Sequence, residues 1–234
     1  MLGVDDYRIN LGELWKFLIN KMKILEEIEE ANYWREMELR SLPKILVCIK
    51  HKKEKKALLN ASIPLIYAYW EGFVSSSLKI LMESLNEKKI NCIDIHTNIL
   101  TNGYEINLKE DLSNPTYRKE SFEKKCRKLE CLVNLLNSDF KFQNFKVDTK
   151  SNLNFNVLKI LCKKFNFSSE KFKTLESKLE KLVKRRNGIA HGEDSFPITK
   201  KDMDESIELY IELSGLLKNE IENFIKEYKY LKNK

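Results

Sequence analysis

The 234-residue sequence has little of what builds turn-rich or cross-linked folds, with only seven glycines and four prolines. That scarcity argues for long helices joined by few turns. Its five cysteines, Cys48, Cys92, Cys126, Cys131 and Cys162, are odd in number and irregularly spaced, without a CxxC pair. This speaks against a disulfide framework or a structural zinc site and fits reduced thiols in a cytoplasmic protein. Long apolar runs are also missing. The longest uncharged stretch, Ala57 to Trp70, has 14 residues, whereas a membrane-spanning helix needs about 20. Asp5, Asp6 and Arg8 precede any apolar run, so neither a signal peptide nor a membrane partner is expected. There is no acidic excess: 42 basic against 35 acidic residues leave a net charge of +7. Such a chain permits an anionic partner without requiring one. Histidine is rare as well, limited to His51, His96 and His191.

What is present reads as helix. Apolar residues make up 42% of the chain, enough for one packed core, and no linker divides residues 1–234, so a single domain is expected. From Leu11 to Leu42, positions such as Leu14, Phe17, Leu18, Leu25 and Ile28 recur at spacings of three and four, with Asn10 available as a cap. Pro43 predicts a break. The charge run Lys50–Lys56 around His51 reads as a solvated face or turn. The most apolar segment, Ala57–Asn86, predicts a central helix, with Pro64 kinking it or marking its start. Within it, Glu71 stands in the aromatic stretch Tyr67-Ala-Tyr-Trp-Glu-Gly-Phe-Val; buried there, a carboxylate requires a partner or a proton.

Residues 87–114 change character, and the alternation Tyr104-Glu-Ile-Asn-Leu108 beside a polar turn at Gly103 predicts a small irregular or β insertion. Pro115 opens a helix to about Leu136, whose apolar face is Phe122, Cys126, Leu129, Leu132, Val133 and Leu136. Its other face is basic through Arg118, Lys119, Lys124, Lys125, Arg127 and Lys128, a pattern shared by nucleic-acid surfaces and by ordinary solvated helices. Ser151 and Asn152 are cap candidates for a helix over 155–165. Ser168 and Ser169 start the next, which runs to Gly192, and a final helix spans about Lys200–Tyr230. The fold expectation is therefore all-α: a bundle of five to six helices, long at the N-terminus, centre and C-terminus.

The chemistry concentrates in Lys184-Arg185-Arg186-Asn187-Gly188-Ile189-Ala190-His191-Gly192-Glu193. On an ideal helix, residues five apart lie about 140° apart, so Arg186 and His191 do not share a face. Asn187 and His191, four apart, do. His moves protons near neutral pH. Arg holds a phosphate by paired hydrogen bonds and stabilises a more negative transition state. Together, with no carboxylate cluster, they are the kit for metal-free RNA cleavage by attack of the 2′-OH on its own phosphate. A basic helix end bearing a His is also, on its own, an ordinary charged C-cap. One copy makes a cramped site, and two facing copies make a workable one. Lys178, Lys181, Lys184 and Arg185 line the approach and are the candidate RNA-backbone contacts.

The run Arg186-Asn187-Gly188-Ile189-Ala190-His191-Gly192 resembles the R-x4–6-H signature of the HEPN superfamily in its more specific form RN-x-IAHG. The aromatic helix around Glu71, the Ser151-Asn152-Leu153 lead-in and the long final helix resemble the HEPN-like nucleases of bacterial defence and toxin systems. The resemblance implies a helical bundle, commonly a homodimer, with metal-independent endoribonuclease activity at a composite cleft. It implies Arg186 and His191 as the catalytic pair, Asn187 as the polar residue beside them and Glu71 in support. No cofactor or metal is expected. The expected partners are RNA, a second copy, and an antitoxin or other defence-system protein. The superfamily also contains non-catalytic RNA- or nucleotide-binding modules that regulate a partner, which is the alternative.

Overall fold

A computed structural model describes residues 11–112, 121–142, 146–150, 152–192 and 197–232, with side chains for all of these except 11–21 and 105–112. The helices in chain order are α1 (Leu11–Cys48), α2 (Lys52–Glu87), α3 (Thr97–Leu112), α4 (Phe122–Leu136), α5 (Phe155–Lys164), α6 (Glu170–Lys173), α7 (Glu176–Ala190) and α8 (Lys200–Lys226). A single 3₁₀ turn, Cys92–Asp94, precedes α3. No strand occurs among the described residues. The extended segments meet only in two isolated antiparallel bridges, Asn91 with Asp139 and Ile95 with Leu231.

The core forms around α2, which packs against α1, α7 and α8. Ile63, Ile66, Tyr67, Trp70, Phe73, Val74, Ser77, Leu78, Leu81 and Leu85 are buried along it, a stripe wide enough to meet several neighbours. Facing it are Ile28, Leu39, Leu42 and Leu46 of α1 and Met203, Tyr210, Leu213, Leu217, Ile221 and Phe224 of α8.

One of the two helix-internal prolines departs from the expectation. Pro43 lies within α1 rather than ending it, and α2 begins at Lys52, so Pro64 does not mark its start. An interior proline costs about 3 kcal/mol. Burying Leu39, Leu42 and Leu46 around Pro43, and Ile63, Ile66 and Tyr67 around Pro64, is worth about 1.5–3 kcal/mol per aliphatic side chain. Packing therefore overrides the local penalty. The charge run of residues 52–56 forms the exposed opening turns of α2.

Of the irregular or β insertion expected over 87–114, residues 88–96 are irregular apart from one 3₁₀ turn, and the rest of the described segment is helix. Residues 97–112 form α3, and the segment leading into it is anchored by Cys92, Ile95 and Ile99, all fully buried. Gly103, read as a turn, is a packing position. A Cβ there would sit 2.9 Å from Phe142 and 3.2 Å from Phe140, and those two rings meet edge to face at 4.7 Å. The amide of Asn86 brackets the same segment, donating to the Phe142 carbonyl at 3.0 Å and accepting its N–H at 2.8 Å.

Four helix boundaries also differ. Pro115 and Ser151 lie outside the described residues; α4 begins at Phe122, where the Ser121 hydroxyl accepts the Lys124 N–H. α5 is capped by Asn154, whose side chain accepts the Val157 N–H, so Asn152 is not the cap. The helix expected from Ser169 to Gly192 is split into α6 and α7, with the Thr174 hydroxyl donating back to the Lys171 carbonyl at the break. α8 ends at Lys226, four residues short of Tyr230. The apolar face of α4 stays open, with Phe122, Leu129, Leu132 and Val133 all exposed.

Candidate RNA-processing site at the end of helix α7

Helix α7 ends where its sequence stops supporting helix. His191 is its C-cap, donating its N–H to the Asn187 carbonyl. Gly192 follows at φ +74°, the left-handed conformation that glycine adopts without a Cβ penalty. Its N–H donates to the Ile189 carbonyl at 3.0 Å. The His191 side chain is exposed.

Asn187 and His191 line one cleft of about 360 Å3. Glu180, Val183, Lys184 and Gly188 of α7 form the same wall, and Asn152 and Asn154, from the lead-in to α5, form the other. Glu180 is committed to the scaffold, since its carboxylate accepts the Phe155 N–H at 3.0 Å, at the first turn of α5. There it satisfies one of the orphan amides of a helix N-terminus and favours the positive end of the dipole.

Arg186 points elsewhere. Its guanidinium carbon lies 4.1 Å above the ring of Tyr67 in α2, a cation–π contact. The Tyr67 hydroxyl in turn accepts the N–H of Leu153 at 2.5 Å, between Asn152 and Asn154 of the cleft wall. Tyr67 thus ties the arginine to the opposite wall. Burial raises the Tyr67 phenol above its usual pKa and the charge of Glu71 adds to this, while the Leu153 N–H and Arg186 pull it back down. The phenol is therefore neutral at physiological pH. Glu71, half-buried one turn along α2, stands on the Tyr67 side and is not part of the cleft wall.

Three other cations of α7 face α8. Arg185 pairs with Asp202 at 2.6 Å, Lys181 with Glu205 at 3.3 Å and Asp202 at 3.8 Å, and Lys178 with Glu212 at 3.4 Å. Asp202 also completes a capping box with Thr199 at the start of α8. Burial pushes its carboxyl up, but the hydroxyl and N–H of Thr199 and the guanidinium of Arg185 outweigh that and hold it at about 2. Of the four cations proposed for RNA, the structure places only Lys184 on the cleft.

The structure therefore brings together Asn187, His191 and Lys184. It sets Arg186 beside them on a brace and assigns Arg185, Lys181 and Lys178 to the α7–α8 seam. Sequence reasoning missed Tyr67, Asn152, Asn154 and Glu180 as parts of this region. For Tyr67 a signal existed: it lies four residues before Glu71, hence on the same helix face. The residues of the α5 lead-in carried no such signal, because nothing local places them opposite α7.

A helical bundle presenting Arg-Asn and His at the end of its penultimate long helix falls in the class of nuclease-like, RNA-related helical modules. The chain belongs to the RiboL-PSP-HEPN family, whose profile matches residues 30–227. That match runs from within α1 to the end of α8, so it covers every element that builds the site. HEPN domains commonly bind RNA and dimerise. No curated protein and no solved structure matches the chain. Among the described residues, no helix is long and apolar enough to cross a membrane.

Proposed function

We propose that this protein is a metal-independent endoribonuclease acting as a homodimer, in the role of a toxin or antiphage defence effector within the cytoplasm. The observation that carries the reading is the pairing of an exposed His191 with Asn187 in one cleft, flanked by an Arg186 already laid over Tyr67. In the reaction, a ribose 2′-OH loses its proton to a His191 imidazole and attacks the adjacent phosphorus. The P–O5′ bond breaks, and a protonated imidazole gives its proton to the departing 5′-oxygen. The products are a 2′,3′-cyclic phosphate and a 5′-OH. Arg186 stabilises the added negative charge on the phosphate oxygens, and Asn187 orients substrate or imidazole from one turn below. Base and acid are both needed and each cleft holds one histidine, which makes a second copy the natural source of the other. The donor set supports chemistry without a metal: among the described residues Glu180 is the sole carboxylate on the cleft wall, and it already caps α5.

The expected result with labelled RNA in EDTA is cleavage by the wild type and none by His191→Ala or Arg186→Ala, with helical content unchanged. Equal cleavage by wild type and His191→Ala would sink the proposal, as would strict dependence on added magnesium. A second reading, an RNA- or nucleotide-binding module that regulates a partner, draws on the position of Arg186 over Tyr67 rather than on the cleft wall. It predicts retention of RNA in the same assay without products.

A further inference from the structure

Helix α4 is joined to the rest of the fold mainly through the 3₁₀ turn Cys92–Asp94, and the side chain it sends toward the core is Leu135. None of its residues is buried. Phe122, Leu129 and Val133 are exposed, and Cys126 and Leu136 half-buried. These five follow one another at spacings of four, three, four and three. That is the narrow seam of a coiled coil rather than the broader stripe of a helix laid on a core. On this repeat Cys126 and Val133 take the a positions, and Phe122, Leu129 and Leu136 the d positions. Leu135 lies about 140° around the helix from the middle of the seam. The body of the molecule therefore stands behind α4, and the seam faces outward.

The flanks of the seam select what fits it. Glu123 and Glu130 hold the e positions on one side, and Lys125 a g position on the other. Lys125 and Glu130 are exposed, and among the described residues neither forms an ion pair. Five apart on one helix, they lie about 140° from each other and cannot pair within a copy. Two parallel copies of α4 bring Lys125 of each against the partner's Glu130, the g-to-e contact that sets partner and direction in coiled coils. Antiparallel copies would set e against e, and so Glu123 against the partner's Glu130. Val133 at a and leucine at d likewise favour two parallel strands. A lipid surface fits less well, because glutamates flank the apolar face where an interfacial helix carries cations. The helix is already formed, with Ser121 as its cap, so pairing avoids the nucleation cost that makes short isolated helices marginal.

We propose that α4 is a docking surface for a second copy of this chain, the two helices pairing in parallel along the seam from Phe122 to Leu136. Among the described residues none of α4 lines the cleft, so the pairing and the ribonuclease reading can each fail alone. Parallel pairing in register sets Cys126 opposite the partner's Cys126. The test is disulfide capture in the full chain carrying Cys48→Ser and Cys131→Ser, which leaves Cys126 as the one cysteine that is not buried. Diamide is the oxidant, taking up two electrons and two protons as two thiols become a disulfide. Micromolar protein should yield a covalent dimer. Leu129→Lys, at a side chain 62% exposed in one copy, should lower that yield by about tenfold or more with helical content unchanged, since burying one leucine is worth at least that much. Lys125→Glu should lower it about threefold, and adding Glu130→Lys should restore it. No capture through Cys126, or capture that survives Leu129→Lys, overturns the pairing. Charge reversal without rescue overturns the parallel register. A monomer that instead sediments with phosphatidylserine vesicles, and fails to as Leu129→Lys, assigns the face to lipid and overturns the proposal as well.

Discussion

Replacing Tyr67 by Phe deletes one oxygen from the centre of the molecule and isolates what that oxygen does. The ring stays in place under Arg186, 4.1 Å from the guanidinium carbon. The lost atom is the acceptor for the Leu153 N–H at 2.5 Å. Tyr67 is 2% exposed and Leu153 0%, so water cannot take over that hydrogen bond. An orphaned buried amide costs about 1–3 kcal/mol, and for a chain of this size each kcal/mol lowers Tm by roughly 2–4 °C. Tyr67→Phe should therefore unfold at a lower urea midpoint with an unchanged m-value. Well below its Tm, its RNA cleavage should stay within a few-fold of the wild type. Tyr67→Leu removes the hydroxyl and the ring together. It forfeits a further cation–π term of about 0.5–2 kcal/mol and releases Arg186 from its brace, so cleavage should fall at least tenfold, equivalent to about 1.4 kcal/mol of transition-state stabilisation. The paired measurement is urea unfolding followed by circular dichroism alongside cleavage rate at 20 °C. A Tyr67→Phe protein as stable as the wild type would refute the hydrogen-bond argument. A Tyr67→Leu protein that cleaves at the wild-type rate would refute the brace.

Two further outcomes follow from groups outside the cleft. The Asp202 carboxyl is held at about 2 against an ordinary 3.8, so it binds its proton less readily folded than unfolded. Its contribution is complete above 3.8 and is lost as pH falls toward about 2; solvent screening keeps it to about 1 kcal/mol. Asp202→Asn should flatten the acid limb of the stability curve over that interval, and an unchanged limb in acid titration by circular dichroism would count against the pairing. Gly103→Ala places a Cβ 2.9 Å from the buried Phe142 ring. Overpacking should outweigh the helix-propensity gain and destabilise by about 1–2 kcal/mol net, whereas a gain in Tm would show that the ring can yield.

The long helices were legible because period and burial agree in them. The stripe Ile63, Ile66, Tyr67, Trp70, Phe73 and Val74 states both the helix and the face it buries. Residues 97–112 misled because Tyr104-Glu-Ile-Asn-Leu108 alternates like a strand. The decisive fact is non-local: Phe140 and Phe142 need the space over Gly103. Pro43 misled for the same reason, since a local rule met tertiary packing. At the site, the shared face of Asn187 and His191 follows from helix geometry within one turn. The assignment of Lys178, Lys181 and Arg185 could not be read, because their acidic partners lie 17 to 34 residues away on another helix.

Those three ion pairs also act as a vernier. Positions 178, 181 and 185 meet 212, 205 and 202, ascending on one helix as they descend on the other, so the seam admits one antiparallel alignment. Sliding α8 by one turn in one direction would set the three cations opposite Leu216, Leu209 and Ser206. Sliding it in the other would set Lys181 against Lys201 and Arg185 against Ile198, leaving only Lys178 with an acid, Glu208. Each pair is worth little by itself. Their shared work is to fix how far the end of α7 protrudes past its neighbours, and on the ribonuclease reading proposed above that distance sets the reach of the His191 side chain toward a phosphate.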